Sequence, residues 1–148
     1  ETVPVVGTNA KLSEMHAAMG LCNLRHVDED ISLRKIAYER YVLRLNNTHG
    51  IKLSPINMCV KANYAYMPVL FDGFKKSRDI IVSELAESNV FARKYFYPLT
   101  SDFSAYRNMF EIQSTPIAKH ISENILCLPL YAGLTPEQVD YICNIILK

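Results

Sequence analysis

Gly7-Thr8-Asn9-Ala10-Lys11-Leu12-Ser13-Glu14 runs straight into Met15-His16-Ala17-Ala18-Met19-Gly20, a polar loop that becomes a helix. Gly7 permits backbone angles that other residues resist. Ser13 can accept a hydrogen bond from the free N–H groups of a helix beginning at Glu14. Glu14 puts negative charge in the first turn, where the helix dipole favours it. Met15, Ala18, Met19 and Cys22 then share one face at three- and four-residue spacing. Ala17, Ala18 and Gly20 let another backbone approach closely. Physics alone reads this stretch as a polar loop and a capped, tightly packed helix.

The chain around it has 148 residues, a one-domain length that can bury a real core. About half the residues are apolar (49%) and a fifth are charged (21%), as in ordinary soluble domains. The 16 Lys and Arg against 15 Asp and Glu leave a formal charge of +1, which argues against a nucleic-acid surface. The densest basic cluster, Lys75, Lys76 and Arg78, reads as a solvated face. No apolar run approaches the roughly 20 residues of a membrane helix, and no signal peptide is visible. The first residues, Glu1-Thr2-Val3-Pro4, lack a Met, so the expectation is a piece of a longer protein. Cys22, Cys59, Cys127 and Cys143 form no C-x-x-C pair. Cys22 and Cys143 fall on apolar helix faces, which suits reduced thiols and a cytoplasmic location. Cys22 and His26 share a face at i, i+4 but have no second pair, so no metal site is expected. Asn46-Asn47-Thr48 matches a glycosylation acceptor, read here only as a polar helix end.

The first helix is predicted over 14–25. A second, capped by Asp28 or Asp30, carries Leu33, Ile36, Ala37, Tyr41 and Leu45 inward and ends by His49-Gly50, with Gly50 as left-handed cap. Residues 51–56 read as a short strand or extended link. Residues 62–71 read as the main strand, with Tyr64, Tyr66 and Leu70 on one face and Ala65, Met67, Val69 and Phe71 on the other. Pro68 cannot donate to a ladder, which predicts an edge or a bulge there. Asp72-Gly73 turns the chain. Ser77 caps a third helix with Ile81, Val82, Leu85 and Ala86 inward, and Asn89 stops it. The aromatic segment 90–99 precedes a long polar loop over 100–114. Thr115-Pro116 opens a fourth helix, 125–130 forms a strand, and Thr135-Pro136-Glu137-Gln138 is a capping box. Val139, Ile142, Cys143 and Ile146 follow as the buried face of a last helix. The resulting order, helix, helix, strand, helix, strand, helix, strand, helix, is that of an α+β domain with a small antiparallel or mixed sheet.

Gly7-x-Asn-x-Lys-Leu-Ser-Glu-x-x-Ala-Ala-x-Gly resembles the DegT/StrS family of pyridoxal-phosphate aminotransferases, which act on nucleotide sugars. Three further segments are similar to that family in the same order. Asn63-Tyr64-Ala65-Tyr66-Met67-Pro68-Val69 looks like its small-domain strand. Ala92-Arg93-Lys94-Tyr95-Phe96-Tyr97-Pro98-Leu99 resembles its segment near the substrate, and Leu128-Pro129-Leu130-Tyr131-Ala132-Gly133-Leu134-Thr135 its closing turn. The resemblance spans nearly the whole chain. It implies the small C-terminal domain of a fold-type-I aminotransferase over 27–148. Residues 1–26 would be a loop and helix at the interface with the large domain and the dimer partner.

The resemblance also implies site roles. Asn9 matches the loop Asn that contacts the cofactor phosphate of the neighbouring subunit in a homodimer. Lys11 matches a basic residue beside the active site, and Tyr95 and Tyr97 are candidate substrate contacts. Each has a plainer reading: Asn9 as a turn stabiliser, Lys11 as a surface partner of Glu14, the tyrosines as core or interface aromatics, and His16 as a surface histidine. Thr8, Ala10 and His16 depart from the family's usual aromatics and Gln, which leaves the sugar open. The family's cofactor-bonding lysine lies upstream of the Asn loop, and Lys11, 35, 52, 61, 75, 76, 94, 119 and 148 match no such motif. The expectation is therefore a chain with no catalytic residue and no covalent cofactor of its own, inactive in isolation. It would be part of a parent enzyme that uses pyridoxal phosphate and, as amino donor, glutamate. The alternative is a non-catalytic interaction or regulatory module that kept the fold and lost the cofactor domain.

Overall fold

Residues 11–103 and 114–148 are described by the structure, a computed structural model. In chain order the helices and strands are α1 (Glu14–Leu24), α2 (Val27–Leu45), β1 (Ile51–Leu53), β2 (Met67–Phe71), α3 (Arg78–Glu87), α4 (Pro116–Asn124), β3 (Ile125–Leu128) and α5 (Pro136–Leu147). A single 3-10 turn covers Thr100–Asp102. The class is α+β, with one antiparallel sheet in the order β1-β2-β3. β1 and β2 follow one another, in line with the extended readings over 51–56 and 62–71. The strand that the expected order places between α3 and α4 is, among the described residues, a single bridge from Arg93 to Cys127.

β2 is shorter than expected because Tyr64 takes a left-handed φ of 49°, which ends extended backbone on its N-terminal side. The inward set is right: Met67, Val69 and Phe71 are buried and alternate with half-buried Pro68 and Leu70. Pro68, however, lies in the central strand rather than at an edge or bulge. Cys127, its partner on β3, spends its own N–H and C=O on Arg93, at 2.9 and 3.0 Å. The Pro68–Cys127 pair therefore needs no hydrogen bond between its members. The proline nitrogen faces the β1 side, where β1 has already ended at Leu53 opposite Val69. Continuing that register would aim the Ser54 carbonyl at residue 68. The Tyr38 hydroxyl donates to that carbonyl instead, at 3.2 Å. A proline is thus tolerated at the one rung where neither neighbour asks for its N–H.

One core joins this sheet to three helices. Ala37, Tyr41 and Leu45 of α2, Ile81 and Leu85 of α3, and Val139, Ile142, Cys143 and Ile146 of α5 bury against Met67, Val69, Phe71, Leu126 and Leu128. The α5 face is the one its spacing predicts, and both bonds of the Thr135–Gln138 capping box are present. Elsewhere burial differs from expectation. Leu33 and Ile36 are 40% and 53% exposed, so the inward face of α2 is narrower. Ala86 is exposed, and Arg78 takes an inward place on α3. α2 starts at Val27 with no side-chain cap, so Asp28 and Asp30 serve its dipole from inside the first turn. It ends at Leu45, ahead of the expected stop, and Asn47 (φ 64°) supplies the left-handed residue there. Thr115 stands at the cap of α4 but makes no capping bond.

Only part of the basic cluster is a solvated face. Lys75 Nζ donates to the Leu147 carbonyl at 2.7 Å, Lys76 pairs with Glu84 at 2.7 Å, and Arg78 is buried. Between α2 and α5, Arg40 and Arg44 both bind Asp140. Arg40 chiefly, by its hydrogen bonds, holds that carboxyl below the usual carboxylate range. α1 behaves differently from all other helices. It has no buried residue, and Met15, Met19 and Leu21 are 75%, 62% and 63% exposed, so Cys22 is not on a buried face. Among the described residues no helix is long and apolar enough to cross a membrane, and no cluster of three or more His, Cys, Asp or Glu could hold a metal ion.

Gly50 sits at φ +77° before β1, and a Cβ there would lie 2.2 Å from the Phe74 backbone nitrogen. Gly73 has a similar φ of +81° but open space around it. Gly50→Ala is expected to destabilise the protein by ~3 kcal/mol or more, from overpacking added to backbone strain. Gly73→Ala should cost only the strain, about 1–2 kcal/mol. Urea unfolding midpoints of the two variants test the ranking; equal losses would contradict the close approach at Gly50.

Candidate functional site

The segment that follows α3 carries the candidate site. α3 stops at Glu87, and Asn89, at φ 58°, reverses the chain so that Val90 N–H reaches the Leu85 carbonyl at 2.8 Å. The chain then returns along the outer edge of β3, where Arg93 exchanges both backbone bonds with Cys127. Phe96 is left-handed at φ 50°, which breaks the alternation of an extended strand. Tyr95 and Tyr97 accordingly go to different surroundings.

Tyr95 enters a cleft of about 400 Å³ lined by Tyr66, Phe91, Arg93, Cys127 and Tyr131, among others. Its ring lies 4.7 Å from that of Tyr66 and 4.1 Å from that of Phe96, both tilted. A second hollow of about 420 Å³ shares Phe91, Pro129 and Tyr131 with the first, so the two are continuous along one wall. Tyr97 does not line the cleft. Its ring covers the Arg78 guanidinium at 4.6 Å, with Lys94 Nζ at 5.6 Å.

Hydrogen bonding to Tyr66, then burial, pushes the Tyr95 phenol up to about 12. Burial pushes the Cys127 thiol up to about 11. Both stay protonated at neutral pH, so neither is a base or a thiolate nucleophile there. What remains is binding chemistry. Stacked phenols offer flat apolar faces, and the Arg93 guanidinium beside them can grip an anionic oxygen.

The structure thus separates the residues singled out in the sequence. Tyr95 is in the cleft, and Tyr97 packs instead on a buried cation. Lys11 is exposed just ahead of α1 and is not among the residues lining the cleft. His16 Nδ1 and the Ser13 hydroxyl share a hydrogen bond of 2.6 Å on the surface of α1. Asn9 lies outside the described residues. Tyr66, Arg93, Cys127 and Tyr131 went unassigned in the sequence although all lie within or beside quoted motifs. No periodicity marks them, because they come from the end of a loop, a single bridge, a strand and a turn.

Residues 1–147 match one family of proteins almost end to end, the DegT/DnrJ/EryC1/StrS aminotransferases. The chain belongs to that family. Its members are pyridoxal-phosphate aminotransferases. The chain is 41% identical over 99% of its length to a dTDP-4-amino-4,6-dideoxy-D-glucose transaminase of Escherichia coli, of which it covers 40%. It is 26% identical over 94% of its length to a GDP-perosamine synthase of Caulobacter vibrioides, of which it covers 38%. Among solved structures it superposes on DesI, studied in the presence of its TDP-sugar product, with a TM-score of 0.86 and 25% identity, over 95% of this chain and 36% of that one. The aminotransferase TlmJ of Streptoalloteichus hindustanus gives 0.83, also at 25% identity, over 98% of this chain and 38% of that one. The chain therefore spans about two fifths of the length of these relatives and corresponds to their C-terminal part.

The displaced ionisation of Tyr95 has a spectroscopic consequence. The 295-nm phenolate titration of the protein minus that of its Tyr95→Phe variant should rise only above pH ~11, beyond the ordinary tyrosine value of about 10. A difference centred at the ordinary value would remove the Tyr66–Tyr95 contact from the cleft.

Proposed function

We propose that this chain forms the C-terminal part of an aminotransferase that moves an amino group between glutamate and a keto-sugar carried on a nucleotide. The observation that carries the proposal is the 41% identity, sustained over 99% of the chain, to a transaminase whose named sugar is a dTDP-linked 4-amino-4,6-dideoxyglucose. Pyridoxal phosphate, when bound, supplies the electron sink for amino transfer. The cleft beside Tyr95 suits the nucleotide sugar, since Arg93 can face a phosphate oxygen while Tyr66, Tyr95 and Tyr131 offer flat faces to a ring. Lys11, two residues after Asn9, would add positive charge beside the active site that Asn9 serves.

Residues 1–26 act in this reading as the seam with the large domain and with a second subunit. The support is α1 and the residue ahead of its cap: Leu12, and Met15, Met19, Leu21 and Leu24 of the helix, are all more than half exposed. Exposed apolar patches of that kind mark interfaces. The working form is a cytoplasmic homodimer, and Asn9 would hold the cofactor phosphate of the partner. A neutral amide donates to a phosphate oxygen without adding charge, which fits that task. The chain itself contributes no lysine to the cofactor.

The reaction is tested on the complete polypeptide that contains this chain, supplied with pyridoxal phosphate, 2-oxoglutarate and dTDP-4-amino-4,6-dideoxyglucose. Formation of glutamate, dependent on both the sugar and the cofactor, is the expected result. A folded polypeptide that binds no pyridoxal phosphate and acts on no nucleotide sugar would favour the non-catalytic module instead. Asn9→Ala in the same polypeptide should weaken cofactor affinity about ten- to hundredfold, the equivalent of one charged hydrogen bond. Spectral titration with pyridoxal phosphate reads that affinity. Unchanged affinity would return Asn9 to a turn-stabilising role.

A further inference from the structure

Among the described residues, Arg78 is the one charged side chain that is buried, at 3% exposure. A guanidinium removed from water costs several kcal/mol unless it is paired and bonded on all sides. Arg78 meets a different segment on each side. Nη1 donates to the carbonyls of Ser122 and Ile125, at 3.2 and 3.5 Å, the last turn and cap of α4. That is the negative end of the helix. Nε lies 2.7 Å from the Asp79 carboxylate, an ion pair rather than an aligned hydrogen bond. The guanidinium carbon lies over the Tyr97 ring, 4.6 Å from its centre.

Asp79 extends the arrangement. Its carboxylate also holds Lys94 Nζ at 2.6 Å, and this bond chiefly keeps the carboxyl below the usual range. Lys94 in turn lies against Tyr97 from its own position in the segment. The stretch 93–97 is therefore tethered at three points. Arg93 is held by backbone bonds to β3, Lys94 by Asp79, and Tyr97 by the Arg78 face. Tyr95, the residue that enters the cleft, lies between these tethers with no backbone pairing of its own in the sheet.

We propose that Arg78 is a positioning residue for the substrate face: it holds Tyr97, and through Asp79 and Lys94 the stretch 93–97, where Tyr95 can line the cleft. The proposal rests on the reading of that cleft as the nucleotide-sugar site. Arg78 is not itself among the residues lining the cleft. A planar, always-charged guanidinium suits the place better than an ammonium, because it stacks and forks at once.

The test uses the complete polypeptide as wild type, Arg78→Met and Val139→Ala, the last a buried α5 variant that lowers stability away from the cleft. Hydrogen exchange read by mass spectrometry is the first measurement. Arg78→Met should speed exchange in peptides spanning 93–97 about tenfold, the loss of one desolvated cation–ring contact. Exchange in α5 should stay unchanged, whereas Val139→Ala should show the reverse pattern. The second measurement is the KM for the amino-sugar nucleotide, which Arg78→Met should raise about tenfold while leaving the KM for 2-oxoglutarate unchanged. Unchanged exchange at 93–97 overturns the proposal. So does faster exchange with an unchanged sugar KM, or a KM effect that Val139→Ala reproduces. A wild-type protein inactive on the sugar sinks the proposed function, while the exchange measurement still decides whether Arg78 holds the segment.

Discussion

The pairing of β2 with β3 is the constraint on which the rest depends. Four rungs, from Met67↔Leu128 to Leu70↔Ile125, join parts of the chain separated by α3, the aromatic segment and α4. On one face these rungs bury Met67, Val69, Leu126 and Leu128 under α2, α3 and α5. On the other face lies Cys127, opposite Pro68 and beside the cleft. A shift of one residue would exchange the two faces. It would also bring Pro68 opposite a residue that asks for its N–H. The register is therefore held from both sides, by burial on one face and by the proline on the other.

The outer edge of β3 then decides where binding chemistry can sit. Edge strands expose unpaired N–H and C=O groups, and here the Arg93 rung covers the edge at Cys127. This single rung brings Arg93 and Tyr95 next to Tyr66, which enters from the chain just ahead of β2, and Tyr131, which follows β3. The two displaced ionisations in the cleft, at Tyr95 and Cys127, both move away from neutrality. A surface of that kind is suited to binding and orienting rather than to proton transfer.

Charge in this domain works mainly at seams. Asp140 of α5 receives Arg40 and Arg44 of α2, Lys76 reaches Glu84, and Lys75 closes the carbonyl end of α5. With its carboxyl held low, Asp140 is ionised at neutral pH. Its contribution is present above the ordinary carboxylate range and fades as pH falls through the lowered value. Arg78 is the extreme case, a cation drawn wholly inside to join α3, α4 and the aromatic segment. A net charge of +1 conceals all of this, because the sum says nothing about which charges meet.

Local signals in the sequence determined a good part of the fold. The Thr135 capping box and the i, i+3, i+4, i+7 face of α5, the Ser77 cap, the left-handed stop at Asn89 and the inward set of β2 all act within a few residues. Motifs in order were enough to place the chain in its family and to mark the Tyr95 segment. Tertiary structure alone decided the rest. Pro68 is central because Cys127 and Ser54 find partners elsewhere, a fact about three distant segments. Tyr95 and Tyr97 part company because Phe96 adopts a left-handed turn and Arg78 lies waiting under only one of them. Lys75, Lys76 and Arg78 read as a solvated cluster because their acceptors, the Leu147, Ser122 and Ile125 carbonyls and the Glu84 carboxylate, are brought to them only by the packed fold. Backbone carbonyls carry no sequence signature, and so a buried cation that relies on them is visible only once the chain has folded around it.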